Sequence, residues 1–240
     1  LDPDYLRWCW QFLRAARASR VAIAVPALHD LALLSRRGYE AFTLLWPQGV
    51  PLTEHGLLIL CRSTHALREE HDDAKMARRL GMPVEILDRD AATALEPDLD
   101  MAIAGAVRYP LDAHVIPQRV VATLVAGLAE AGVELRWHTE VVGFRRAESR
   151  VAKAVTTTGE IGGDEFVIAA GMWSAALART IDLPLPLMSG KGYSFTLAKP
   201  RVRPHACALL AEARIVVTPM GSSLRFAGTM ELCGLDRSID

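Results

Sequence analysis

The segment Asp164-Glu165-Phe166-Val167-Ile168-Ala169-Ala170-Gly171-Met172-Trp173-Ser174 narrows from an apolar run to Ala-Ala-Gly and then opens a short helix. Small side chains at Ala169, Ala170 and Gly171 let another molecule approach the backbone, and Gly171 can take backbone angles barred to other residues. The same residues also describe a tightly packed strand-to-helix turn, and both readings stay open on the pattern alone. The pairs Glu69-Glu70 and Asp72-Asp73 could serve a metal or an acid–base couple, but on an amphipathic helix they read first as a solvated face. Seven histidines are present, and no two have the His-x-x-x-His spacing that places both rings on one helical face. His65 and His71 share a helix six residues apart and fall on different faces, so no metal site is expected. No Gly-x-Ser-x-Gly elbow supports a nucleophilic serine. Cys9, Cys61, Cys207 and Cys233 form no Cys-x-x-Cys pair and read as four buried thiols, neither zinc ligands nor a disulfide framework.

These residues must be positioned by the elements around them. Asp2 is expected to cap a helix over 4–18 with Pro3 at its first position, and a second helix starts after Pro26 and ends before Pro47. Gly56 to Cys61 reads as a strand, Thr64 to Leu80 as a charged amphipathic helix, and Val84 to Leu87 as a short strand. Asp88 is placed to cap a brief helix that stops before Glu96-Pro97, because the residue before proline avoids helical geometry. Ile103 to Tyr109 is a strand, and Pro117 opens the clearest helix, closed by Gly132. Val133 to His138 reads as a strand, followed by a hairpin of Glu140 to Arg146 and Arg150 to Thr157. The run Phe166 to Ala170 has the unbroken apolar character of a strand buried on both faces, and Ser174 is placed to cap a helix over 175–179. Gly192 to Ala198, His205 to Leu210, Ile215 to Pro219 and Leu224 to Met230 then form a run of strands, with Met220-Gly221-Ser222-Ser223 as a hairpin connection.

The composition excludes several classes. With 240 residues, 51% hydrophobic and 23% charged, the chain is long enough for a core in one or two domains, and a formal net charge of -1 argues against nucleic acid as a partner. Charges interrupt the apolar runs before the roughly 18 residues a membrane span needs, so no transmembrane segment is expected.

Four pieces stand in a telling order: Asp112-Ala113-His114-Val115-Ile116-Pro117, then Val133 to Val142, then Ala169 to Ser174, then Gly190-Lys191-Gly192-Tyr193-Ser194. With Leu224-Arg225-Phe226-Ala227-Gly228-Thr229-Met230-Glu231 they make nearly the whole chain resemble the FAD-dependent amine oxidoreductases of the D-amino-acid oxidase type. The likeness is to bacterial D-amino-acid dehydrogenases and glycine/sarcosine oxidases, and the last piece looks most like the dehydrogenase branch. The Gly-x-Gly-x-x-Gly turn with which such enzymes hold the FAD pyrophosphate is not in these residues, nor is the later arginine that clamps the substrate carboxylate. The chain therefore reads as the central part of a longer protein.

The resemblance implies an α/β and α+β fold: an incomplete FAD-binding Rossmann-like half, 1–55 and 107–189, and a mostly antiparallel β-sheet substrate domain, 56–106 and 190–240. It implies hydride transfer from a D-amino acid or similar small amine to flavin, giving an imino acid and then a keto acid and ammonia. A 2-hydroxy-acid or glycerol-phosphate oxidoreductase on the same scaffold, or a scaffold domain without catalysis, are the alternatives. Val141 matches the position whose backbone reads the adenine edge, Ala169, Ala170 and Gly171 the turn beside the adenosine and pyrophosphate, and Trp173 an aromatic close to it. Lys191 and Tyr193 match the strand leading from the flavin towards the substrate, whereas Arg225 reads as a solvated sheet residue. FAD is expected in the whole protein and not in these residues alone, which are expected to be inactive. A cytoplasmic location, including the inner face of the membrane, is expected, as is compatibility with a homo-oligomer; the electron acceptor is unknown.

Overall fold

A computed structural model describes residues 3–232, 234–236 and 238–239. The chain divides into two compact units, each built from separate stretches: Leu1–Arg17, Ala129–Lys191 and Glu231–Asp240 form the smaller, and Ala18–Leu128 with Gly192–Met230 the larger. These cuts fall elsewhere than at 55/56, 106/107 and 189/190, because the long second helix and most of the helix after Pro117 pack with the larger unit.

In the larger unit the elements run α2 (Ala18–Leu45), β1 (Leu57–Cys61), α3 (Thr64–Arg79), β2 (Glu85–Asp88), α4 (Arg89–Leu95), β3 (Gly105–Tyr109) and α5 (Pro117–Glu130), after α1 (Pro3–Ala15) of the smaller unit. The chain returns through β7 (Lys191–Ala198), β8 (Cys207–Leu210), β9 (Ile215–Met220) and β10 (Ser223–Glu231). Among the described residues these strands make a seven-stranded sheet in the order β2-β3-β1-β8-β9-β10-β7. It is mostly antiparallel, but β1 pairs β8 in parallel with Leu58 opposite Ala208.

The unbroken apolar run of β1 is explained by cover on both faces. Leu58 and Leu60 point into a core with Ala92, Met101, Ala106, Ala208, Val217 and Leu224, and Ile59 and Cys61 into another with Ala66 and Ala74 of α3, Val84 and Val107. Opposite Cys61, Gly105 leaves no room for a side chain: a Cβ there would lie 2.8 Å from the Leu87 carbonyl oxygen. Burial raises the Cys61 thiol to about 11, with help from Glu70 and Glu212.

Two carboxylates staple the sheet. Glu96, 2% exposed and just past α4, accepts hydrogen bonds from the backbone amides of His205 (2.8 Å) and Ala206 (2.9 Å) at the entrance to β8. Glu212, in the β8–β9 turn, accepts from the amides of Arg62 (3.2 Å) and Ser63 (2.9 Å) and from the Ser63 hydroxyl (3.0 Å). Ser63 in turn caps α3 by accepting from the Ala66 amide, and Asp88 caps α4 as expected from the sequence, accepting from the Ala91 amide.

The smaller unit carries β4 (Val141–Ala147), β5 (Arg150–Thr156) and β6 (Gly159–Gly162) in one antiparallel sheet, then a single 3-10 turn at Gly171–Trp173 and α6 (Ser174–Arg179). The hairpin is as read from the sequence, and β6 adds a third strand beyond it.

Several expectations are corrected. Pro26 lies inside α2 instead of preceding it; it costs one helical hydrogen bond, and the freed carbonyl belongs to Ala22, which is exposed to water. Val133 to His138 and Phe166 to Ala170 are not strands, since a strand needs a hydrogen-bonded neighbour and neither has one among the described residues. Val167 is accordingly 89% exposed and Trp137 64% exposed, not buried. Ser174 does not cap α6: the 3-10 turn, closed by the Trp173 amide on the Ala170 carbonyl at 3.1 Å, runs straight into the helix and makes Ser174 its buried first residue. Of the cysteines expected to be buried, Cys61 is, while Cys9 and Cys207 are partly exposed because they lie at less covered positions; Cys233 and the capping role of Asp2 lie outside the described residues. By length and composition α2 is also apolar enough to cross a membrane, a property shared with core helices of soluble proteins, because an 18-residue window tolerates charges that an uninterrupted run does not.

The staples generate two predictions. Glu96→Ala leaves two amide donors stranded and should cost about 2–6 kcal/mol in urea unfolding, at about 1–3 kcal/mol for each donor left unsatisfied. For Glu212, desolvation pushes its pKa up, but the hydrogen bonds from Arg62, its own amide and Ser63 outweigh it and hold the carboxyl below the usual range. Its contribution is therefore complete above the unfolded value of about 4.3 and is lost as pH falls through the lower folded value. Thermal unfolding of Glu212→Gln should accordingly show a flatter acid limb than the parent protein.

Candidate functional site

The smaller unit brings the sequence-derived cofactor residues onto one framework. Val141 opens β4, half-buried, and pairs with Thr156. Farther along β4, Phe144 meets Phe166 edge-on, with ring centroids 6.2 Å apart. Gly143 faces Thr180 at the end of α6, 3.8 Å from where a Cβ would stand. The segment that reaches the Ala-Ala-Gly bend and the helix that leaves it are thus both packed on the strand that Val141 begins.

At the bend, Ala169 is exposed and Ala170 half-buried. Gly171 has φ +54, and no atom of the chain lies within 4 Å of a Cβ built on it. That backbone angle costs an ordinary residue roughly 1–2 kcal/mol, so glycine is favoured by conformation while the space beside it is open. Trp173 follows, 46% exposed. An open backbone ledge with two alanines, a glycine and a neighbouring indole fits a flat heteroaromatic group and its ribose, as the resemblance implies for FAD; among these residues no cationic side chain is offered to a pyrophosphate.

The substrate-side residues separate. Lys191 ends the smaller unit, its Nζ 2.8 Å from Glu231 Oε2 and also donating to the Ser238 carbonyl. Tyr193, two residues on, belongs to the larger unit and lines a shallow hollow of about 280 Å³ with Phe195, Phe226 and Thr229. Phe195 and Phe226 stack there, 4.7 Å apart and 11° from parallel. Arg225 donates to the Ser194 hydroxyl at 3.0 Å and is half-buried on the sheet, less solvated than expected.

The Asp112-Ala113-His114 loop is more structured than its sequence suggested. Backbone hydrogen bonds in both directions join His114 to Thr53, at 2.9 and 3.0 Å. The His114 Nε2 stands 2.8 Å from the Pro219 carbonyl oxygen, which makes it a donor there. Burial lowers the His114 pKa, against the raising effect of that bond. Burial raises the Asp112 carboxyl, with the Arg36 guanidinium pulling it down. Arg36 itself donates to Glu40 at 2.8 Å, to Glu54 and to the Leu111 carbonyl. Sequence reasoning missed Arg36, Glu96 and Glu212, because their partners lie 75 or more residues away for the Leu111, His205 and Ser63 contacts and no local pattern announces them. Among the described residues no group of three or more His, Cys, Asp or Glu is gathered to hold a metal.

Known proteins are similar to this chain over most of its length. D-amino acid dehydrogenase 2 of Mesorhizobium japonicum is 31% identical over 245 residues, covering 99% of this chain and 58% of that protein. The D-amino acid dehydrogenase of Agrobacterium fabrum is 30% identical over 99% of this chain and 58% of its own length. The crystal structure of glycine oxidase from Geobacillus kaustophilus superposes with a TM-score of 0.77 at 26% identity, over 88% of this chain and 58% of that one. The chain thus spans about 58% of the length of these relatives. Residues 6–240 match the DAO family, described as FAD dependent oxidoreductase, and the chain belongs to that family.

Proposed function

We propose that the protein carrying this chain oxidises a D-amino acid or similar small amine, yielding an imino acid that water converts to a keto acid and ammonia. When bound, FAD supplies the acceptor for the hydride that leaves the substrate Cα. The observation that carries this reading is the open ledge at Ala169, Ala170 and Gly171, held on β4 by the Phe144–Phe166 contact and by α6. The names of the relatives, matched across 99% of the chain, support the amino-acid substrate.

In this reading the residues of the chain bind and orient. The Val141 backbone faces the adenine edge, the Ala169–Gly171 backbone lies along the adenosine and Trp173 closes its side. Tyr193 lines the substrate side. The Lys191 ammonium, neutralised by Glu231, holds the start of β7 against the end of β10 and positions that strand. The same proposal assigns 1–55 and 107–189 to the cofactor half and 56–106 and 190–240 to the substrate half, in a cytoplasmic enzyme that can work at the inner face of the membrane. Five neutral residues without a phosphate cradle bind weakly, so the 240 residues alone should hold no FAD.

The test is the visible spectrum of the intact protein. Flavin bands bleached by D-amino acids and untouched by 2-hydroxy acids or glycerol phosphate are expected; bleaching by the latter alone would overturn the substrate assignment. Gly171→Val in the same protein should weaken FAD binding by more than about tenfold in a fluorescence titration, while the strain of the positive φ costs the fold only about 1–2 kcal/mol.

A further inference from the structure

We propose that a cleft in the larger unit, at the end of β7 remote from Lys191, binds a phosphate-bearing anion. The cleft has a volume of about 900 Å³, within the size range of small-ligand sites. Its wall is the loop after β7, Lys199-Pro200-Arg201-Val202-Arg203-Pro204-His205, which contains three permanent cations and no acid. His55 and His114 also line it, and Asp98 is the only carboxylate among the described lining residues.

Cations this close repel one another, and a concave wall concentrates their field. Some basic side chains elsewhere are neutralised by acids: Arg36 by Glu40 and Glu54, Arg108 by Glu85, Arg145 and Lys153 by Glu160. Among the described residues no carboxylate pairs with Lys199 or Arg201. The nearest buried acid, Glu96, is occupied by the His205 and Ala206 amides and by the His205 ring, whose Nδ1 is 3.4 Å away.

The wall is also held in shape before any ligand arrives. Pro200 and Pro204 restrict the loop backbone, Glu96 pins its far end, and the Arg203 guanidinium donates to the Gly221 carbonyl in the β9–β10 turn. Preorganisation of this kind reduces the ordering cost of binding. Two guanidinium groups and an ammonium suit a phosphate, whose oxygens take the planar fork of arginine in parallel hydrogen bonds, better than a single carboxylate. The site is independent of the proposed flavin reaction: it shares no residue with Val141, the Ala169–Gly171 ledge or Trp173, and Lys199 is roughly 26 Å along the strand from Lys191.

The experiment uses the intact protein saturated with FAD, so that the cofactor site cannot take the probe. Inorganic pyrophosphate is titrated calorimetrically, and phosphatidylcholine vesicles with and without phosphatidic acid are tested by co-sedimentation. Pyrophosphate binding that weakens as salt is raised, and that falls by at least about tenfold in Lys199→Gln/Arg201→Gln, is the expected result. Binding to phosphatidate vesicles without binding of free pyrophosphate, lost in the same variant, assigns the phosphate to a lipid headgroup. Both substitutions are at exposed positions, and an unchanged melting temperature will show that the fold is intact. Failure of both probes to bind, or undiminished binding by the double variant, overturns the proposal.

Discussion

The larger unit depends on β1 being buried on both faces. A strand in that position must have its backbone satisfied by neighbours on each edge and its side chains matched to two different cores. β3 supplies one edge in antiparallel register, Ile59 opposite Val107, and β8 supplies the other in parallel. The parallel pairing joins chain segments about 150 residues apart, and it is there that Glu96 and Glu212 are spent, each accepting two backbone amides from the other segment or its flank. A sheet assembled from distant pieces needs such cross-links, because loop closure alone opposes bringing the ends together.

The ledge proposed for the cofactor rests on a lighter framework. β4, β5 and β6 make a small sheet, and the Phe144–Phe166 contact, the short α6 and the Arg146–Asp182 pair just beyond it tie the Ala-Ala-Gly segment to that sheet. The consequence is a backbone ledge with open space beside Gly171, where ligand and not protein can occupy the room a side chain would take. Packing density is high where the chain recognises itself, around Leu58 and Val107, and low where the proposed nucleotide would lie.

Electrostatics divide in a similar way. Ion pairs such as Lys75–Asp72, Arg136–Glu134 and Arg146–Asp182 lie on exposed surface, where such pairs contribute little to stability. The carboxylates that matter to the fold are those turned onto backbone amides. The loop from Lys199 to His205 collects three cations in one cleft with Asp98 as the single acid among the described lining residues, which is why it reads as a place for an external anion.

Local signals were legible in the amino-acid order. The periodicity of α3, the Asp88 cap of α4, Pro117 and Gly132 around α5, and the 220–223 turn each depend on residues a few positions apart, and each is found as expected. The family and the mixed fold were legible too, because motif order survives when individual motifs are weak. What could not be read depended on partners far along the chain. Phe166 to Ala170 has the composition of a buried strand, but burial is a property of neighbours, and Val167 has none around it. Pro26 breaks a helix by local rule, yet the exposed Ala22 carbonyl finds water and α2 continues. Glu96 looked like a residue before a proline, and its carboxylate became a buried clamp only once the fold carried the His205 and Ala206 amides to it.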